Sequence, residues 1–86
     1  MTEEVEVVTR TAEQLAQDYS AMGDSVALIT AVIAGDSMAE ADAEERQGCV
    51  DRNTQHLELM VAKEDWGSED MTAANAAISA GNGYSA

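Results

Sequence analysis

The sequence has no proline and no phenylalanine, a single cysteine, and four basic residues against 17 acidic ones in 86 positions. Each shortage excludes something. A chain of net charge −13 has too little Lys and Arg to neutralise phosphates, which removes ordinary nucleic-acid binding. An anionic membrane repels the same charge, and no apolar run approaches the roughly 18 residues of a spanning helix. One thiol, Cys49, cannot close an internal disulfide, which suits a reducing interior. The first residues, Met1-Thr2-Glu3-Glu4, are acidic, and no signal-peptide pattern is expected from them. Large aliphatics are scarce too. Leu, Ile and Val number 14, and 16 of the 39 hydrophobic residues are Ala. A chain of this size buries only about 60% of its unfolded surface, so the expected product is one small domain over residues 1–86 with a thin core.

What is present reads as helix. Alanine-rich, proline-free sequence with Glu and Gln favours it, and the apolar period supports it. Met1, Val5, Val8, Ala12, Leu15, Tyr19, Met22, Val26, Ile29 and Ile33 follow alternating steps of four and three, a heptad seam of more than four repeats. Glu4, Glu6, Arg10, Glu13, Gln17, Asp18, Asp24 and Ser25 lie off it. Thr2 suits an N-cap. The reading is one helix over about 3–34. A break at Gly23, with Asp24 or Ser25 capping a new helix, is the first alternative, but the seam keeps phase across it. A short strand at Glu4–Thr9, carried by Val5, Val7 and Val8, is the second.

Gly35 ends that helix. Ser37 with Glu40 makes a capping box for a second one over about 38–65, closed by Gly67. Its seam is Ala39, Ala43, Arg46, Val50, Asn53, Leu57, Met60 and Glu64, with Arg46 and Asn53 where a packed neighbour wants apolar groups. The short Gly-Asp-Ser connection implies an antiparallel hairpin. A short third helix follows over about 69–80, striped by Met71, Ala74 and Ile78 and stopped by Gly81. The fold class is therefore all-α.

Residues with chemistry do not assemble into a motif. Cys49 and His56 lie two turns apart on one face, without the C-x-x-C or H-E-x-x-H that a zinc site needs. Asp51 and His56 form an acid–base pair on paper, with no nucleophile at a telling spacing. The acids from Asp36 to Glu45 lack the order of a calcium loop, and Gly81-Asn82-Gly83 follows a helix instead of opening one. The expectation is a non-enzymatic protein with no metal and no cofactor. Three aromatics remain: Tyr19 on the seam, Trp66 at the corner between the second and third helices, and Tyr84 on a patternless tail. The expected partner-binding residues are the seam, Val5, Val8, Leu15, Tyr19, Met22, Val26, Ile29 and Ile33, with Trp66 and Tyr84 as anchors. For Trp66 the anchor role is the second reading; the first is a plug that closes the corner where the second and third helices meet.

The last part of the chain resembles small proteins of tailed bacteriophages, marine cyanophages among them. The residues that carry it are Val50-Asp51-Arg52-Asn53, His56-Leu57-Glu58, Ala62-Lys63-Glu64-Asp65-Trp66 and Glu69 to Ile78 through Ala80-Gly81. The resemblance spans about residues 50–81 and assigns no chemistry to any of them. It implies a virion structural or assembly role, in the virion or the host cytoplasm. Partners are then other protein chains, virion proteins or further copies, with a basic rim to match the charge. The alternative is an acidic inhibitor that imitates DNA on a host nucleic-acid-binding enzyme.

Overall fold

A computed structural model of the chain describes residues 10–86. It is all-α: α1 spans Ala12–Ala34, α2 Ala43–Val61 and α3 Thr72–Asn82, together 69% of the described chain, with no strand among the described residues. Met1, Val5 and Val8, the proposed Thr2 cap and the alternative strand at Glu4–Thr9 lie outside the described residues.

All three helices start later than the spacing predicts; side-chain caps mark the starts of α1 and α2, and an Asp70 turn precedes α3. Thr11 is extended (φ −68°, ψ 163°) and caps α1. Its hydroxyl accepts from the Gln14 amide at 3.1 Å while the Gln14 side chain accepts from the Thr11 amide at 2.9 Å. This reciprocal pair satisfies two donors that a continuing helix would have bonded internally. The apolar seam keeps phase through Thr11, but the backbone does not follow it. At Gly23 the outcome is the reverse: α1 runs through without a break.

The α1–α2 connection corrects the second prediction. Gly35 adopts the left-handed conformation (φ 85°), and the amides of Gly35, Asp36 and Ser37 return to the carbonyls of Ala31 and Val32. Met38 also has positive φ (57°), which no helix accommodates, and its side chain packs on the core. The Ser37–Glu40 box therefore does not form. Asp42 is the cap, its carboxylate accepting from the Glu45 amide at 2.9 Å. At the other end α2 stops at Val61, short of Asp65. The indole N–H of Trp66 donates to the Met60 carbonyl at 2.7 Å, occupying a last-turn acceptor, and Asp65 is engaged by Arg10. In α3 the Asp70 carboxylate accepts from the Thr72 amide at 2.9 Å, and Gly81 lies buried inside the final turn instead of ending it.

The hairpin is antiparallel: the start of α1 meets the end of α2 through Arg10 and Asp65, and mid-α1 meets mid-α2 through Ser25, Asn53 and His56. The core is Met22, Ile29 and Val32 of α1, Cys49, Val50 and Leu57 of α2, Ala74 and Ala77 of α3, and Trp66. Complete burial of Leu57 or Ile29 is worth about 1.5–3 kcal/mol each. α3 packs through small residues. A Cβ at Gly81 would overlap the buried Thr54 hydroxyl, which has no hydrogen-bond partner, so the close approach of α2 and α3 depends on that glycine. No helix among the described residues is long and apolar enough to cross a membrane.

Candidate protein-binding site

Three constellations stand out, and proton counting separates the structural from the functional. The first is a polar relay between α1 and α2. Ser25 Oγ lies 2.9 Å from Asn53 Oδ1 and 2.8 Å from His56 Nδ1. The Asn53 amide nitrogen donates to the Cys49 carbonyl at 2.8 Å, which orients Oδ1 toward Ser25. An amide oxygen only accepts, so the Ser25 proton goes to Asn53 and His56 donates to Ser25 through Nδ1–H. This is the opposite of the arrangement in which a histidine takes a serine proton, and Ser25 is 4% exposed. The relay satisfies buried polar groups and sets the register of the two helices. The Cys49–His56 face gathers no further ligand, and no group of three metal-binding side chains occurs among the described residues.

The second constellation is a latch at the α2–α3 corner. The Arg10 guanidinium lies 4.3 Å over the Trp66 ring and pairs with Asp65, and with Asp18 at 2.7 Å. The Arg10 amide and Nε also donate to Asp65 Oδ2, at 3.2 and 2.9 Å. These hydrogen bonds, chiefly from the guanidinium, hold the Asp65 carboxyl well below the usual carboxylate range and push Arg10 above its ordinary value. Tyr19 meets Trp66 edge-on, ring centres 6.0 Å apart, and its hydroxyl donates to the Asp70 carbonyl at 2.6 Å. Trp66 is thus 8% exposed and bonded within its own chain. Asp70 is held below its usual range by the Thr72 hydroxyl and amide.

The third is open. A shallow groove of about 90 Å³ runs between α1 and α3, lined by Tyr19, Met22, Gly23 and Val26 on one side and Asp70, Ala73 and Ala74 on the other. Tyr19 and Asp70, one from each side of the lining, are joined by the hydrogen bond described above. No family model matches the chain, and neither a curated protein nor a solved structure is significantly similar to it. The site is therefore read from geometry alone.

The structure divides the expected partner-binding residues. Met22 and Ile29 are core, at 2% and 1% exposed, and Leu15 and Val26 pack partly against it. Tyr19 and Ile33 remain exposed, on the groove rim and near the C-terminal end of α1 respectively. Tyr84 is half-buried against the core, its carbonyl accepting from the Gln47 amide at 3.2 Å, while the Gln47 carbonyl accepts from the Ala86 N–H at 2.8 Å. The groove brings together Tyr19, Met22 and Val26 from that set and adds Gly23, Asp70, Ala73 and Ala74. The signal for the additions is composition: two helices with small residues where they face each other leave a trough.

Proposed function

We propose that the protein is non-enzymatic and acts by docking on a larger protein, as a virion structural or assembly component of a tailed bacteriophage. The observation that supports docking is the α1–α3 groove, an apolar trough left open in a molecule with few large apolar side chains. The relay supports a non-catalytic reading, because its proton order suits structure and not nucleophile activation. The phage setting rests on the resemblance over residues 50–81. Self-association through the seam has less surface to use, since Met22 and Ile29 are already buried, and like charges oppose it.

A second reading keeps its own observation. Residues 11–45 carry acidic side chains and no Lys or Arg, a charge row suited to a phosphate-binding groove of a host enzyme. Mass spectrometry of purified virions separates the two. A stoichiometric presence supports the virion role. Absence from virions, with copurification on a host polymerase or nuclease, supports the inhibitor.

A further inference from the structure

We infer that the α1–α3 groove receives one aliphatic side chain of a Lys- and Arg-rich amphipathic helix whose backbone crosses α1 at Gly23; this rests on the docking role proposed above and names its partner's chemistry. The size selects the occupant. The groove holds about 90 Å³. That is well below the roughly 300–1,000 Å³ of small-molecule sites. One aliphatic side chain fits, and the apolar lining of Met22, Val26, Ala73 and Ala74 suits it.

Gly23 indicates how closely the partner comes. A glycine in mid-helix is unfavourable, and the fold does not need it: a Cβ built there meets nothing within 4 Å. Around it on the same side of α1, Ala16, Ser20, Ala27 and Thr30 are all exposed and small. Such a surface lets a second helix approach. A helix that crosses α1 and sets an apolar side chain into the groove makes a helix-in-groove contact.

Charge selects the partner's rim. Between Thr11 and Glu45 the chain carries Glu13, Asp18, Asp24 and further acids, and between Glu64 and Ala86 it carries Glu64, Asp65, Glu69 and Asp70, with no Lys or Arg in either stretch. Arg10 is already paired with Asp18 and Asp65. The charged side chain in the lining is Asp70, and Asp24 follows Gly23 on α1, so the charge at the groove is negative, which attracts a cationic helix and repels nucleic acid and anionic lipid.

The test uses the full chain, 15N-labelled, and three peptides of about 18 residues, or five turns. One has Leu at i, i+3, i+4 and i+7 spacing with Lys elsewhere, one scrambles that composition, and one replaces Lys by Glu. The expected result is amide shifts centred on Tyr19, Gly23, Val26, Ala73 and Ala74 with the first peptide, binding at least about tenfold weaker with the second, and none with the third. Gly23→Leu, which extends into open space, and Ala73→Arg, at an exposed position on the opposite wall, should each weaken binding at least about tenfold while melting no lower than the parent chain. Equal binding of the scrambled peptide, shifts spread over the acids of α2, or unchanged binding by both variants overturns the inference. So does failure of the first peptide to bind; if the chain is nevertheless found in virions, docking stands and uses another face.

Discussion

Ser25 lies off the apolar seam, yet it is among the most buried residues of α1. A pattern that counts apolar residues has no means of finding a trio that supplies its own partners. Asn53 is the partial exception, since its polar character at a core position of α2 is legible and its register-setting role is what the relay performs. Removing the link should be costly. Ser25→Ala leaves Asn53 Oδ1 and His56 Nδ1 without partners, and thermal denaturation should show a loss of about 1–3 kcal/mol. Gly81→Ala should also destabilise, although Ala is the better helix former, because its Cβ would overlap Thr54; adding Thr54→Ala should restore much of the loss. Asp65 gives the pH dependence. Its folded-state carboxyl is depressed by Arg10, so the contribution is complete above the ordinary value of 3.8 and is lost as pH falls below it. The melting-temperature difference between the parent and Asp65→Asn should be constant from about pH 5 to 7 and shrink below about pH 4. Comparing the two proteins at each pH cancels the change in overall repulsion near the isoelectric point of about 4.1.

At the scale of elements, the order and type of all three helices are legible, because the apolar period and the lack of proline depend on many residues at once. The ends are not, because each depends on one local competition. Thr11 with Gln14 starts α1, and Asp42 with Glu45 outcompetes the Ser37–Glu40 box that reads equally well in sequence. Trp66 ends α2 by reaching back to Met60, which needs the tertiary corner to exist first. The groove is half legible. Its α1 wall coincides with the seam, while Asp70, Ala73 and Ala74 face it only once α3 has packed. Gly23 offers a direct check on the continuity of α1. Gly23→Ala should raise stability by about 1 kcal/mol if the helix is unbroken, measured by chemical or thermal denaturation. A loss would mean that the glycine serves a bend.

For the whole molecule, a thin core and a charge of −13 act in the same direction. Leu57 is completely buried, and Leu57→Ala should cost about 2–5 kcal/mol, a large fraction of the roughly 5–15 kcal/mol of an ordinary domain. Salt should stabilise the isolated chain by screening self-repulsion, and weaken its complex with a cationic partner for the same reason, since the screening length falls from about 10 Å at 0.1 M to about 3 Å at 1 M. One side of α1 packs into the core, and the adjoining side, at the groove, is the face proposed to take another protein. Photo-crosslinking addresses that assignment most directly: a light-activated group attached through Gly23→Cys is compared with one attached through Leu59→Cys on α2, where the parent leucine is 64% exposed. The expected result is one covalent partner from position 23, joined through a Lys- and Arg-rich segment, and none from position 59. Equal products from both positions, or a partner captured from position 59 alone, would contradict it.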